Sequence, residues 1–421
     1  MNSGRPARTG RTGPVIWCHS HFLLPTGGTK YVYEVVRRIK RDRPIEVVVE
    51  RASEYWRERY TQAGVPLHEI SGLTSTSKRY WLEFPRQLRH AGSEVARLAD
   101  ELDAGHLASS FFPFNRVCGE VASKRGLRHT HLCFEPFPFF HDREVQGMYP
   151  PAQRTLMRAL GALYGRIDRA GVRSADELLT LNEITRDAIE RTYGRTDAVP
   201  VYTGIDHDHF RPFSDAELTD LRERHGSGVF AVHSTDFSPI KRTDLALEAF
   251  AVAARSVDAK LLITSTIDDP SSLGALIKRA GELGVADRIE YLGFVDYDDL
   301  PRYYALASVL VQTGTSVNSG ATSMSLPVKE ALACSTAVIR SRATGEDVED
   351  GVSGYLVDPA DSEATGARMA ELLREPELAT SFGAAGHARM LELYSWEHVV
   401  AAFLRAFDGV GPGDSVSSGP R

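Results

Sequence analysis

The sequence has few cysteines and no long apolar run. Its four cysteines are scattered over 421 residues with no C-x-x-C spacing, which argues against a disulfide framework and favours a reduced, cytoplasmic protein. No stretch approaches the roughly 20 consecutive apolar residues that a membrane-spanning helix needs. The opening text, MNSGRPARTGRTG, lacks the apolar segment of a signal peptide, so we expect residues 1–13 to form a disordered tail.

Charge is unevenly distributed along the chain. The net charge is −7, but residues 1–205 hold 30 Lys and Arg against 23 Asp and Glu, whereas the remainder holds 19 against 33. A basic front half fits attraction to an anionic acceptor or peripheral contact with the inner membrane surface. The alternative is that charge only keeps each domain soluble. We expect no nucleic-acid partner.

Short apolar strands alternate with helical periodicity. In the second half, Val229–His233 and Lys260–Ser265 are predicted strands, and Asp244–Arg255 and Leu273–Leu283 are predicted helices. This alternation indicates an α/β protein with doubly wound parallel sheets. At this length, with 42% hydrophobic residues, the chain can bury two separate cores. The Gly/Ser/Pro-rich end, residues 409–421, is expected to be disordered.

The most informative stretch is Thr313–Arg342. A small, polar loop leads into a short helix that starts at Leu326, with Pro327 in the first turn, where proline costs no amide hydrogen bond. Such a helix start offers unpaired amides and a partial positive charge to a phosphate. One turn later, Glu330 could accept hydrogen bonds from a ribose diol. An ordinary loop–helix–strand unit is the alternative interpretation.

The same stretch resembles the donor-site block of family 4 glycosyltransferases. LPVKEALAC, followed by GEDVEDGVSGYLVDPAD, is similar to the family's E-G-F-G-L-P-x-x-E-A-x-A-C-G-x-P-V and G-x-x-E-x-V-x-D-G-x-x-G-x-L-V-x-P. Glu330 matches the second glutamate of the family's E-x7-E pair, which holds the donor ribose. Thr322 stands in place of the first glutamate, so the chain resembles an atypical member.

The resemblance covers about residues 14–408 and implies the GT-B fold, with two Rossmann-like domains facing across a cleft. It implies an acceptor-binding domain over residues 14–206, a nucleotide-sugar-binding domain over 207–394, and a last helix over 395–408 that packs back on the first domain. Asp206 and Asp208 lie in the stretch that resembles the family's interdomain hinge, and we interpret them as structural residues. We predict no metal and no cofactor, with a nucleotide-diphospho-sugar as substrate.

The text HSTDFSPIKRTD resembles the family's G-R-x-x-x-x-K-G, in which Arg and Lys neutralise the donor diphosphate. Lys241 matches the lysine, but Asp236 stands in the arginine's place. A carboxylate about 5 Å from a phosphate is repelled by roughly 3 kcal/mol at an effective dielectric near 20. Asp236 must therefore turn away or be paired, unless the ligand differs. We hypothesise that Arg242, Arg340 or Arg342 supplies the missing positive charge.

The resemblance and the sequence together give three sets of candidate site residues. The catalytic candidates are Lys241, Thr322 and Glu330. The donor-binding candidates are Gly27, Gly28, Lys241, Arg242, Phe294, Thr322, Ser323, Met324, Ser325, Leu326, Glu330 and Arg342. The candidates on the acceptor or sugar side are His131, Phe134 and Glu135, and a satisfied core histidine is the alternative for His131.

We therefore predict a bacterial hexosyl- or pentosyltransferase that acts with retention of anomeric configuration. Its acceptor would be a small molecule, a glycan or a lipid-linked compound in natural-product, polysaccharide or envelope glycan synthesis. Two alternatives follow from Thr322 and Asp236: a catalytically silent sugar-nucleotide-binding subunit, and a transferase that uses an unusual or non-sugar donor. The sequence leaves the sugar, the nucleotide, the acceptor and the oligomeric state open.

Overall fold

A computed structural model describes residues 13–70, 72–226, 228–265, 269–314, 320 and 323–410. The two predicted tails lie almost wholly outside the described residues, and Thr322 lies outside them too. The chain divides into two compact units, one formed by residues up to Thr203 with the segment from Glu397, the other by Gly204–Trp396. None of the described helices combines the length and the apolar character that crossing a bilayer requires.

Unit 1 is built on a seven-stranded sheet. Its strands are β1 (Val15–His19), β2 (Ile45–Val49), β3 (Leu67–Glu69), β4 (His106–Ser110), β5 (Arg128–Cys133), β6 (Glu177–Thr180) and β7 (Val199–Pro200). They lie in the order β3-β2-β1-β4-β5-β6-β7, and every neighbouring pair is parallel. This confirms the predicted doubly wound arrangement for the first half of the chain.

The helices of unit 1 follow the strands along the chain. They are α1 (Gly27–Ile39), α2 (Glu54–Gln62), α3 (Lys78–Leu82), α4 (Phe84–Glu101), α5 (Phe114–Arg125), α6 (Pro138–His141), α7 (Arg143–Gly147), α8 (Pro151–Ser174) and α9 (Glu183–Tyr193). Helix α1 begins at Gly27, because Thr26 acts as its N-cap. Pro85 lies in the first turn of α4, where proline is tolerated, and α3 ends three residues before it.

Unit 2 carries a six-stranded sheet. Its strands are β8 (Val229–Thr235), β9 (Ala259–Ser265), β10 (Ile289–Phe294), β11 (Val309–Gln312), β12 (Ala337–Ser341) and β13 (Gly354–Val357). The order is β10-β9-β8-β11-β12-β13, again with parallel neighbours. The central strands are buried along almost their whole length, which is typical of parallel sheets covered by helices on both faces.

The helices of unit 2 are α10 (Thr219–His225), α11 (Thr243–Ala253), α12 (Pro270–Glu282), α13 (Leu300–Leu306), α14 (Leu326–Ala333), α15 (Ser362–Arg374) and α16 (Pro376–Leu393). Helix α14 begins at the predicted residue, with Pro327 in its first turn. A last helix, α17 (Trp396–Asp408), lies almost entirely in unit 1 and packs Phe403 against Trp17 of β1 and Phe407 against His106 of β4.

Candidate functional site

The strand order of the second sheet reverses between β8 and β11. Open parallel sheets bind ligands beyond the carboxyl ends of their strands at such a reversal. The two segments that leave these strands are fastened to each other. The Gln312 amide donates to the Ser234 carbonyl at 2.8 Å, and the Thr313 hydroxyl donates to the Arg242 carbonyl at 2.7 Å. The loop after β8 therefore has a fixed position beside the end of β11.

Asp236 is turned onto its own loop. Its carboxylate accepts hydrogen bonds from the Ser238 amide at 2.9 Å and from the Ser238 hydroxyl. These contacts hold the turn that leads into the short 3-10 helix Pro239–Lys241, an arrangement typical of Asp in tight turns. The Ser238 donors thus hold the Asp236 carboxylate on its own loop while leaving its negative charge in place.

Lys241 and Arg242 differ in what they offer to a ligand. The Arg242 guanidinium is paired with Asp244 at 2.8 Å, and this pairing raises the pKa of Arg242. The half-buried Lys241 side chain is paired with no carboxylate among the residues that the structure describes. Lys241 is therefore the better donor-binding candidate of the two, since its charge is not already neutralised.

Helix α14 follows the segment that leaves β11. Ser325 occupies the N-cap position but its side chain accepts no hydrogen bond from the helix amides. Ser323, Ser325 and Leu326 are buried, and Met324 is half-buried. The N-terminal amides and the helix dipole thus remain suited to an anion.

Glu330 is buried near the same edge of the sheet. The Tyr304 hydroxyl donates to the Glu330 carboxylate at 3.1 Å, and Ser234, at the end of β8, hydrogen-bonds to that hydroxyl in turn. Burial and the neighbouring Glu330 raise the pKa of Tyr304 well above its ordinary value, so the tyrosine stays a donor. Tyr304 therefore fixes the orientation of the carboxylate and links it to the end of β8.

Arg340 has a structural partner. Its guanidinium pairs with the fully buried Asp347 and donates to the Ser323 carbonyl at 2.6 Å. Lys329, on α14, pairs with the other oxygen of Asp347 at 2.7 Å. Burial opposes ionisation of the Asp347 carboxyl, but the two cations outweigh it and hold its pKa below the ordinary value. Arg340 thus holds the loop that precedes α14 in place.

Arg342 and Phe294 lie at exposed positions. The Arg342 guanidinium pairs with Asp350 at 2.9 Å. It also donates to the carbonyl of Leu356, on β13, at 2.5 Å. Phe294 ends β10 with about half of its surface exposed. The hypothesis that an arginine replaces the family's missing one gains no support from these contacts, because all three candidate arginines have protein partners.

In unit 1 one of the two candidate glycines, Gly28, packs closely against an aromatic side chain. Gly27 and Gly28 form the first turn of α1, beside the reversal of the first sheet. A Cβ on Gly28 would lie 3.3 Å from the Phe111 ring, which stacks on Phe134 with centroids 4.9 Å apart. Phe134 also makes an edge contact with Tyr31. The candidate Phe134 is therefore part of an aromatic packing group.

His131 lies in the core of unit 1. It is 2% exposed, its Nδ1 lies 2.9 Å from the Ser109 hydroxyl, and burial lowers its pKa to about 4. The Ser109 hydroxyl also contacts Nε2 of His129 at 2.8 Å. These contacts favour a neutral core histidine. Glu135 is half-buried just beyond the end of β5.

The sequence analysis missed Tyr304, Ser234, Lys329 and Asp347. The contact between Tyr304 and Glu330 joins residues 26 positions apart, and Lys329 reaches Asp347 across 18 positions. Nothing in the text of α13 distinguishes Tyr304 from its core neighbour Tyr303. The adjacent Lys329 and Glu330 on a buried helix were the one available signal, because buried charges need partners.

We predict that Asp347→Asn destabilises the protein strongly. The change leaves the buried cations Lys329 and Arg340 without their shared carboxylate, which costs about 3 kcal/mol or more. Asp350→Asn is the matched control, because it removes the exposed partner of Arg342 and costs less than about 1 kcal/mol. Urea unfolding of both variants measures the difference, and equal midpoints would contradict the assignment.

The stability that Asp347 contributes should fall at acid pH. Because the folded-state pKa of Asp347 is depressed, the stability that it contributes is present above the ordinary carboxyl pKa of about 4 and is lost as pH falls below it. Asp347→Asn should therefore lose part of the acid dependence of unfolding that the wild-type protein shows. Unfolding midpoints measured between about pH 3 and pH 7 test this.

Parts of the chain are similar in sequence to known glycosyltransferases. Residues 222–389 match the model of the glycosyl transferases group 1 family. The chain is 28% identical over 264 residues to the GDP-mannose-dependent alpha-(1-6)-phosphatidylinositol monomannoside mannosyltransferase of Mycolicibacterium smegmatis, which covers 61% of this chain and 65% of that one. It is 30% identical over 249 residues to the D-inositol 3-phosphate glycosyltransferase of Saccharomonospora viridis, covering 55% of each. These matches span less than two thirds of both relatives.

The fold has solved counterparts over nearly the whole chain. Anabaena Alr3699/HepE in complex with UDP-glucose aligns with a TM-score of 0.74 at 16% identity, covering 94% of this chain and 99% of that one. WaaG, a glycosyltransferase involved in lipopolysaccharide biosynthesis, aligns with a TM-score of 0.68 at 14% identity, covering 95% and 100%. The chain therefore has the GT-B fold, and residues 222–389 are similar to glycosyl transferases of group 1.

Proposed function

We propose that the protein transfers a sugar from a nucleoside-diphosphate donor to a hydroxyl of its acceptor, with retention of anomeric configuration. One observation carries the proposal. The segments that follow β8 and β11, the two strands at the reversal of unit 2, carry a lysine with no carboxylate partner among the described residues, a helix start suited to an anion, and a buried carboxylate that accepts from Tyr304. These are the groups that a diphosphate and a ribose require.

The diphosphate would lie at the start of α14, beside Lys241. A lysine about 4 Å from a phosphate oxygen contributes up to about 4 kcal/mol of attraction at an effective dielectric of 20. The helix start adds about 0.3 to 1 kcal/mol. Both interactions strengthen as negative charge develops on the departing phosphate, so they favour the transition state over the bound donor.

Glu330 would bind the ribose. Its carboxylate accepts from Tyr304 at 3.1 Å and has further acceptor capacity, since a carboxylate offers about four lone-pair directions. The vicinal hydroxyls of a ribose are matching donors. Tyr304 and Ser234 hold the carboxylate in one orientation, which reduces the entropy cost of binding the nucleotide.

The transfer step needs no protein base. The bond between the anomeric carbon and the phosphate oxygen breaks, the acceptor oxygen bonds to that carbon on the same face, and the acceptor proton passes to the leaving diphosphate. Retention rests on the resemblance to family 4 enzymes. We also propose that no metal is required, because Lys241 and the α14 amides supply the positive charge at the leaving group.

We propose that the acceptor is a hydroxyl compound that carries a negative charge. Two of the relatives carry names that specify a phosphatidylinositol monomannoside and an inositol 3-phosphate, and a third is named N-acetyl-alpha-D-glucosaminyl L-malate synthase. The excess of Lys and Arg in residues 1–205 fits a phosphate or carboxylate on the acceptor.

A catalytically silent nucleotide-sugar-binding subunit is the second candidate. Thr322, which lies outside the described residues, still motivates it, because a threonine cannot supply the negative charge of the family's first glutamate. Asp236 motivates it less, since Ser238 holds its carboxylate on its own loop. The balance therefore favours an active enzyme with altered donor specificity.

A donor assay tests the function. Wild-type protein is mixed with UDP-, GDP-, TDP- and ADP-linked sugars and an inositol phosphate or malate acceptor, and product stereochemistry is read by NMR. We expect turnover with one nucleotide class, a retained anomeric centre and no loss of rate with EDTA. Lys241→Met should lower kcat/KM about a hundredfold, whereas the control Lys278→Met, on the exposed face of α12, should not.

An inverted product would contradict retention, and a rate that EDTA abolishes would contradict the metal-free mechanism. Donor-induced thermal stabilisation without turnover on any acceptor would favour the silent subunit. The absence of stabilisation by every nucleotide sugar would contradict the donor site itself.

We predict a specific loss of ribose recognition in Glu330→Gln. Removing both ribose hydroxyls from the nucleoside diphosphate should weaken binding to the wild-type protein at least about tenfold, because charge-assisted hydrogen bonds are lost. The variant should bind the ribo- and dideoxyribonucleotides with nearly equal affinity. Titration calorimetry measures all four affinities, with Glu282→Gln as control. A variant that still discriminates fully would contradict the role of Glu330.

A further inference from the structure

Helix α8 of unit 1 exposes an apolar face. All five of its buried residues lie in the second half, from Tyr164 onward. Leu163 is 63% exposed and Leu156 is 48% exposed, which places both among the most exposed large apolar side chains of the described chain. An isolated exposed leucine is ordinary, but two on one helix require an account.

The exposed leucines belong to one stripe. Leu156, Leu160, Leu163 and Ile167 recur at i, i+4, i+7 and i+11, which places them on one side of an α-helix. Leu160 and Ile167 are half-buried against a cluster of aromatic side chains, whereas Leu156 and Leu163 extend outward. The apolar face of α8 is therefore wider than the part of it that packs against the aromatic cluster.

Packing holds the stripe in place. The Tyr164 hydroxyl donates to the Trp81 carbonyl at 3.2 Å, which fastens α8 to α3. Helix α6 crosses α8 so closely that a Cβ on Gly161 would lie 3.0 Å from the Phe140 carbonyl oxygen. The elements fastened to α8 in this way add two more exposed apolar side chains, Leu82 on α3 at 85% and Phe139 on α6 at 38%.

The charges on α8 are nearly all positive. The helix carries five arginines and one acidic residue, Asp168, which is buried and accepts hydrogen bonds from Asn115 and Tyr193. Arg158 and Arg166 are exposed. Among the described residues, no carboxylate pairs with Arg154, Arg158 or Arg166. Lys78 and Arg79 add positive charge on α3, where Glu83 pairs with Arg79.

We propose that this face of α8, with Leu82 and Phe139, inserts into the interfacial layer of an anionic lipid bilayer. Apolar side chains would enter the acyl boundary while the long arginines reach the phosphates. A second copy of the chain is a poorer occupant, because pairing two such helices would bring arginines together with no carboxylate to offset them. The proposal is independent of the donor site and needs no sugar transfer.

Vesicle binding tests the proposal on the full-length protein. Wild-type protein is sedimented with vesicles of phosphatidylcholine alone and with about 30% phosphatidylglycerol, at low salt and at about 0.5 M NaCl. We expect binding to the anionic vesicles only, weakened by salt. Leu156→Gln combined with Leu163→Gln should weaken it about tenfold or more, from lost apolar burial.

Ile277→Gln combined with Leu391→Gln is the matched control, because these side chains are similarly exposed, at 56% and 52%, on helices of unit 2. Circular dichroism and thermal unfolding confirm that both double variants are folded. Arg158→Gln with Arg166→Gln should also weaken binding about tenfold, through the charge alone.

Equal binding by the Leu156/Leu163 variant and the control would overturn the proposal, as would wild-type protein that ignores anionic vesicles. Light scattering distinguishes insertion into a bilayer from pairing with a second copy of the chain. A wild-type dimer that becomes monomeric in the Leu156/Leu163 variant would assign the face to a second copy and reject the bilayer.

Discussion

A single buried carboxylate orders the candidate donor site. Asp347 accepts Lys329 from α14 and Arg340 from β12, and Arg340 also holds the Ser323 carbonyl in the loop before the helix. Helix, strand and loop are thereby fixed by one set of charges away from water. Taking these ions out of water is expensive, so the arrangement is stable only when all three are present. These contacts hold the start of α14 and the loop before it in place.

The chemistry that the strand reversal of unit 2 can support depends on which charged groups around it are already paired within the protein. The Asp236 carboxylate is held on its own loop by Ser238, and the charge of Arg242 is offset by Asp244. We propose that Lys241 and the first-turn amides of α14 bind the diphosphate. Glu330 is aimed by Tyr304. Leaving-group stabilisation, with no dedicated base, is the chemistry that such a site can supply.

Much of the fold could be predicted from the sequence, because it depends on local periodicity. Alternating strands and helices, proline at the start of α14 and at the start of α4, and buried central strands are all written in neighbouring residues. The side-chain partners could not be predicted. Whether Arg340 meets a phosphate or Asp347, and whether His131 faces a ligand or Ser109, depends on which strands pack side by side. The exposed stripe of α8 was equally hidden, since periodicity does not reveal which apolar face is covered.

Hydrogen–deuterium exchange with and without a nucleoside diphosphate tests the central claim most directly. We predict that the ligand slows exchange at two places, the amides that open α14 and those of the loop between Thr235 and Thr243. Slow exchange at both would show that the strand reversal of unit 2 holds the diphosphate. Protection elsewhere, with both segments unchanged, would contradict the account.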